Sequence, residues 1–456
     1  MTALTKPVSS DQLTKWEWAF CLAYLAFVLL WMVAKPLDSA PDEAARYLLP
    51  KYIFLHGTLP NGTMAAVRIP QWGFSYAHYP LFLGPLLSAF GMKLASFIAP
   101  GTIWVMWGAR LPSALAAAGT VAVALKIGKR LLGHPYHWLM AGIMCFLPQF
   151  LFLGSYVNND ILAVFGSSLI VLSWARGMED GWPMNHCVLL AAGIIIAALS
   201  YYNAYGWILC SVPLFFLSWF FSKEKPVGWK KNMWKAAGVI ILVVLICTAF
   251  FFVRNAVLYD GDFLGLETAS ESSQQYAAGF LKPANRSTPQ NIGLTPWQML
   301  WDTQHWGGVN WIERSYQSFI GVFGYMSVDC PQMVYHYYTG LFLLGAVGLC
   351  CAFGEWLKNG REGRDWARLC FFFLMGICMV ITIGLSIYYS YAVDYQAQGR
   401  YLYPMLIAVS LFTAKGLKWL VTRFSSVSVR SGLIGAFVGI SFALSWTVYQ
   451  LVFLPY

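Results

Sequence analysis

The sequence predicts an all-α polytopic membrane protein of about eleven transmembrane helices, with two large outer loops bearing interfacial helices. Three observations predict it. The 456-residue chain is 58% hydrophobic and only 11% charged, against about 25% charged residues in an ordinary soluble domain. Its apolar runs repeatedly reach the roughly 20 residues that a helix needs to cross a bilayer, whereas a membrane β-barrel would show short alternating segments. Its basic residues cluster in short loops between those runs. The net charge of +10 therefore follows the rule that positive loops stay inside, and nucleic acid is not an expected partner.

In chain order the spans fall near 17–34, 105–128, 136–154, 161–176, 186–202, 205–221, 236–257, 337–357, 367–390, 401–421 and 432–452. The first run, Trp18 to Ala34, lacks an obvious small-residue cleavage site and continues into Lys35-Pro36. It reads as a retained span and not as a cleavable signal. The run Tyr79 to Pro100 is long enough to be a twelfth span, and orientation decides against it. With eleven spans and an inside N-terminus, the inner side receives 19 of the 30 basic residues, from Lys6 and Lys15 through Lys223, Arg361 and Arg364 to Arg430. If 79–100 crossed, every later basic loop would face out. The segment is therefore expected to be an interfacial helix on the outer surface, interrupted by Pro80 and Pro85.

This arrangement makes 1–456 a single transmembrane domain in the cell membrane, with a cytoplasmic N-terminus. The two large outer loops run over 35–104 and 258–336, with short outer turns near 155–160 and 391–400. Asp42, Glu43, Asp160, Asp260, Asp262, Asp302, Glu313, Asp329 and Asp394 then share the outer face. Nine of the ten cysteines lie in apolar runs and read as small buried hydrophobes. Only Cys330 lies in a polar loop, so no disulfide within the loops is expected.

Acids at the hydrocarbon boundary are costly and point to function. Asp42-Glu43 follows the first span directly. The simpler reading is helix entry, with Ser39 as N-cap, Pro41 in the first turn and a helix over about 44–55. A carboxylate held there is equally suited to act as general base for an acceptor hydroxyl. Asp160 begins the fourth span, as an N-cap or as a second carboxylate converging on the first. Nothing in the spacing fixes a metal; a divalent ion is possible, and no cofactor is otherwise implied. Arg400, in Gln396-Ala-Gln-Gly-Arg-Tyr-Leu-Tyr-Pro404, is either a snorkelling side chain or a phosphate ligand. Arg254, ending the seventh span, invites the same two readings. Arg46, Tyr47, His78 and Tyr403 complete the candidates as substrate contacts. The outer histidines show no zinc spacing, and the aromatic-rich second loop reads as interface belt or loop core. Asn61-Gly-Thr63 and Asn285-Arg-Ser287 match glycosylation acceptors, a pattern that arises often by chance.

Five motifs in order carry a resemblance. Pro41-Asp-Glu-Ala-Ala-Arg-Tyr resembles the acidic first-loop motif of the GT-C superfamily of membrane glycosyltransferases. Asn159-Asp-Ile-Leu-Ala resembles the second-loop acid of its mannosyltransferase-like members, including the aminoarabinose transferase of lipid A. Ala109-Arg-Leu-Pro-Ser-Ala-Leu looks like their second span. Arg254-Asn-Ala-Val-Leu-Tyr-Asp-Gly-Asp262 and Gln398-Gly-Arg-Tyr-Leu-Tyr-Pro404 are similar to motifs of an uncharacterised bacterial branch. The resemblance implies transfer of a sugar from a polyprenyl-phosphate donor to a glycan, lipid or protein acceptor at the outer face. It implies Asp42 as base or acceptor-orienting group, with Glu43 as the alternate, Asp160 as the second acid, and basic residues on the donor phosphate. A transporter or flippase for a lipid-linked or small polar substrate is the alternative. That class places ionisable groups near the midplane of repeated halves, and here no repeat is visible. A noncatalytic subunit of an envelope-assembly complex would share the fold and tolerate loss of Asp42.

Overall fold

The computed structural model describes residues 11–222, 225, 227–358 and 365–456. Lys6, Lys223, Arg361 and Arg364, counted above among the inner basic residues, lie outside the described residues. The chain is all-α: α1 (Lys15–Val33), α2 (Glu43–His56), α3 (Leu83–Ile98), α4 (Thr102–Leu131), α5 (His137–Cys145), α6 (Pro148–Leu153), α7 (Asp160–Asp180), α8 (Met184–Ala198), α9 (Tyr205–Phe221), α10 (Trp229–Leu258), α11 (Leu266–Tyr276), α12 (Pro296–Trp301), α13 (Trp311–Ile320), α14 (Gln332–Lys358), α15 (Trp366–Ala392), α16 (Leu406–Val421) and α17 (Val427–Val448). The strands β1 (Val322–Phe323) and β2 (Val328–Asp329) pair antiparallel in a small hairpin inside the second long loop.

Among the described residues, nine helices are long and apolar enough to cross a membrane. The expectation of eleven spans rests on two further elements. One is α8, only 15 residues long. The other is the run expected as one span over 136–154. It breaks at Phe146-Leu147, where Pro148 begins α6 in the first-turn position that needs no backbone N–H.

Contacts sort the helix ends into two faces. On one face Asp11 pairs with Arg176 and Arg130, Glu17 with Lys129 and His137, and Glu179 with Arg130 and Arg368. These pairs gather the start of α1, the end of α4, the start of α5, the end of α7 and the start of α15. The other face carries the two long loops. There the Tyr456 hydroxyl donates to the Ser39 carbonyl at 2.7 Å, and Lys35 Nζ donates to the Leu454 carbonyl at 3.3 Å. Asp11 and Tyr456 thus sit at opposite ends of the bundle.

Small residues set the closest helix approaches, as is usual where helices pack in a membrane. Gly345 and Gly348 of α14 meet Gly416 of α16 backbone to backbone, and a Cβ at Gly416 would overlap the Gly345 carbonyl. Gly416→Leu should therefore push α14 from α16 and destabilise the protein by about 1–3 kcal/mol or more, the usual effect of overpacking. The readout is a lower unfolding temperature in detergent; an unchanged one would mean that this pair of helices yields.

Segment 79–100 departs from expectation. Pro85 lies in the first turn of α3, where it opens the helix instead of interrupting it. α3 then turns back at 99–101 and packs along the first half of α4, with Gly91 against Gly108. It forms a helical hairpin with α4, and its outer side exposes Phe90, Phe97 and Ile98. The cysteines also divide differently. Cys247, Cys350 and Cys351 are exposed on the helix exteriors, while Cys330, expected in an open loop, is buried.

Candidate active site

Asp42 stands at the start of α2 with φ 62° and ψ 6°, in the left-handed region. Aspartate tolerates that region better than most residues. The expected N-cap, Ser39, does not cap the helix. Asp42 itself occupies the cap position, makes no side-chain capping bond, and sends its carboxylate elsewhere. Helical spacing then separates the motif into two faces, because residues four apart share a face. Asp42 and Arg46 face one way, Glu43 and Tyr47 another.

Glu43 faces the protein interior. Its side chain is fully buried and pairs with Arg110 through two bonds of 2.7 Å, from Nε to Oε1 and from Nη2 to Oε2. It also accepts from the Asp38 and Val157 backbone N–H groups, each at 3.1 Å. Arg110 spends its remaining donors on the carbonyls of Met32, Lys35 and Pro36 at 2.7–2.8 Å. A guanidinium has five N–H donors and a carboxylate about four acceptor sites, so both groups are saturated. This clamp ties the end of α1, the start of α2, the side of α4 and the α6–α7 connection into one unit. Tyr47 sits within the field of the same pair.

Asp42 faces the other way, toward Arg400. Its Oδ2 accepts from Arg400 Nη2 at 2.5 Å, and Arg400 Nη1 reaches the Pro41 carbonyl at 3.3 Å. Arg400 is only 3% exposed, which replaces the snorkelling reading by a buried ion pair spanning the chain from loop one to the start of the α16 segment. Asp42 keeps 37% of its side chain accessible, so a ligand can reach it. Burial pushes its carboxyl up, but the Arg400 and Arg46 guanidiniums outweigh that and hold it below the ordinary carboxylate value. Arg46 lies 4.8 Å over the Tyr76 ring, within the field of both Asp42 and Asp160.

Asp160 is the first residue of α7 and is fully buried. It is not the helix cap: Asn158 Oδ1 accepts the Ile161 N–H at 3.0 Å. Neither carboxylate oxygen of Asp160 has a hydrogen-bond partner, nor do Nε of Arg46 or Nε of Arg400. Four chain segments contribute tyrosines around these groups: Tyr76 and Tyr79, Tyr201 and Tyr202, Tyr389, and Tyr401. Tyr201 stacks on Tyr401 at 6.3 Å, Tyr389 lies 6.1 Å from Tyr401, and Tyr79 lies 6.2 Å from Tyr202. Asp394 stands within the field of Asp42. Burial pushes its carboxyl above the ordinary value, against a bond from Gln396 and the field of Arg286.

The remaining candidates are placed elsewhere. Arg254 donates to the Pro60 carbonyl at 2.7 Å and covers the Phe82 ring. It lines an apolar groove of about 500 Å³ with Leu59, Met64, Phe250 and Val253. His78 is buried, bonded through Nδ1 to Ser75 and packed on Tyr259, and burial lowers its pKa. Tyr403 is buried in the core with its hydroxyl on the Phe319 carbonyl at 2.9 Å. Among the described residues no group of three or more His, Cys, Asp and Glu side chains is arranged to hold a metal ion.

No curated protein sequence matches the chain. Its fold resembles that of ArnT from Cupriavidus metallidurans in the apo state, at 16% identity and a TM-score of 0.50, over 95% of this chain and 65% of that one. It also resembles the archaeal oligosaccharyltransferase AglB from Archaeoglobus fulgidus, at 12% identity and a TM-score of 0.55, over 94% of this chain and 55% of that one. The chain thus spans less than two thirds of the length of either. These likenesses show that the chain shares the fold of ArnT and AglB. A family model matches residues 61–409, which include Asp160, Arg254 and Arg400 and leave Asp42 outside. That match covers well over half of the sequence, and the chain accordingly belongs to the predicted membrane protein family DUF2142.

Proposed function

We propose that the protein is a glycosyltransferase that moves a sugar from a polyprenyl-phosphate donor to an acceptor hydroxyl in the tyrosine-walled recess. The observation that carries this reading is the Asp42–Arg400 pair, an accessible carboxylate bonded to a buried guanidinium beside Asp160 and Arg46. AglB, which has the same fold, is described in complex with a dolichol-phosphate and an inhibitory peptide. The donor phosphate competes with Asp42 for Arg400. Donor binding therefore frees the carboxylate and raises its basicity where the acceptor arrives. The acceptor oxygen attacks the anomeric carbon, the bond from that carbon to the phosphate oxygen breaks, and Asp42 takes the acceptor proton. The phosphate leaves with the bonding electron pair and is held by Arg400. Glu43 organises the motif from behind through Arg110 and does not touch substrate.

Reconstituted protein supplied with labelled polyprenyl-phosphate sugars should bind them and release polyprenyl phosphate when an acceptor is present. Absence of both would refute the reading. Arg400→Ala should weaken donor binding about tenfold to a hundredfold, the loss of a hydrogen bond to a charged group. Arg400→Lys should recover part of it, because an ammonium lacks the planar fork. The alanine variant should also move the acid limb of the transfer rate to higher pH. Removing the cation that depresses Asp42 leaves burial to raise it. An unshifted limb together with unchanged donor affinity would detach Arg400 from the site.

The basic asymmetry of the loops supports an extracytoplasmic position for this recess. A cysteine at exposed Ser287 should react with an impermeant thiol reagent on intact cells. One at exposed Asn232, on the opposite face, should react only after permeabilisation. The reverse pattern would invert the topology.

A further inference from the structure

We propose that Asp160 is the sugar-reading group of the recess, accepting hydrogen bonds from two adjacent ring hydroxyls of the transferred sugar. The inference rests on the glycosyl-transfer reading and gives Asp160 a role in recognition, in place of proton transfer or metal binding.

Asp160 is fully buried, yet both of its oxygens lack a donor. A carboxylate withdrawn from water is costly unless it is paired or hydrogen-bonded. Its position at the start of α7 offsets only part of that cost through the helix dipole. A bound group bringing two donors to these oxygens would satisfy them. Charge decides what kind of group this is. Asp42 and Asp160 face two guanidiniums, Arg46 and Arg400, each of which lies within the field of both acids. Acids and guanidiniums are matched two to two. A divalent cation would add two positive charges beside two guanidiniums, with one of the two carboxylates already bound to Arg400 and no third ligand of the His, Cys, Asp or Glu kind arranged around them among the described residues. An anion placed on Asp160 would meet its charge directly. A neutral group with two donors at the spacing of two carboxylate oxygens meets the requirement, and a vicinal diol is such a group. The Tyr201 and Tyr401 rings, stacked within the field of Asp160, offer flat faces for the C–H surface of a sugar ring. The Nε atoms of Arg46 and Arg400, which have no partner, are further donors within the field of Asp160.

The test compares two lipids on the full chain in lipid nanodiscs: bare polyprenyl phosphate and a polyprenyl-phosphate hexose. Wild-type protein should prefer the hexose lipid by about tenfold to a hundredfold, the worth of hydrogen bonds to a charged group. Asp160→Asn should bring that ratio close to one, the bare lipid holding or gaining affinity as a carboxylate leaves the field of Arg400. Chelation by EDTA should change neither. A series of monodeoxy hexose lipids, measured on wild-type protein alone, should show two adjacent positions at which loss of the hydroxyl removes most of the preference. Equal weakening of both lipids by Asp160→Asn would overturn the proposal, and so would loss of the wild-type preference on chelation. A deoxy series without such a pair would also overturn it. Failure of wild-type protein to bind either lipid would overturn the donor reading, and this proposal with it.

Discussion

Asp42→Asn is expected to fold, insert and bind the lipid donor normally, yet to transfer sugar about 10²–10⁴-fold more slowly, the usual loss when a general base is removed. The substitution suits this site for two reasons. Asparagine keeps the shape of the side chain and, like aspartate, tolerates the left-handed conformation found at φ 62°. The amide oxygen also preserves an acceptor for Arg400 Nη2. What disappears is the negative charge and the ability to take a proton. Donor affinity should hold or rise slightly, because Arg400 no longer has a carboxylate competing with the phosphate. Glu43→Gln should behave differently. It weakens a saturated pair with Arg110, so its effect belongs in folded yield before it appears in the rate of chemistry. Transfer by Asp42→Asn within about threefold of wild type, measured on protein of equal donor affinity, would leave Asp42 as a helix-start residue and remove the base from the mechanism.

The contrast between these neighbours shows how far the sequence could be read. Long apolar runs are self-evident in one dimension, so the helices of the bundle and the two long loops were legible. The break inside 136–154 was less so, because Pro148 follows an apolar stretch that continues on both sides. Asp42, Asp160 and Arg400 were visible as charges at the ends of spans. Their convergence was not, because the Asp42–Arg400 contact joins residues 358 apart in sequence. The division of Asp42 from Glu43 depends on where α2 starts, and a one-residue shift of that start rotates every side chain by about 100°. With Ser39 taken as the cap, the two acids differ only in rank, Asp42 as the base and Glu43 as its alternate. Arg110 is the missed residue with a signal in the sequence: an arginine inside an expected apolar span over 105–128 is anomalous by itself. Its partner Glu43 lies 67 residues earlier, too far for spacing to reveal the pair.

Arg110→Ala should then have the largest effect on the fold. Arg110 is 1% exposed and Glu43 is fully buried, so truncation leaves a carboxylate unpaired in the interior. Breaking a buried pair from one side typically costs about 3–5 kcal/mol, comparable to much of the stability of an ordinary domain. Three carbonyls, of Met32, Lys35 and Pro36, lose their donors at the same time. The variant should give little monodisperse protein by size exclusion in detergent. Arg110→Lys should be intermediate, since three ammonium donors cannot replace five guanidinium donors in a fixed plane. The double variant Arg110→Met with Glu43→Leu separates charge from position. It removes both charges and fills similar volume, a replacement that is often close to neutral, so folded yield should return in large part. Transfer should not return with it. The Asp38 and Val157 N–H groups still lack their acceptor, and the 38–42 segment that aims Asp42 at Arg400 is no longer clamped. A double variant with wild-type transfer would reduce the pair to a packing element, and an Arg110→Ala protein that folds like wild type would show that the saturated network does not hold the motif in place.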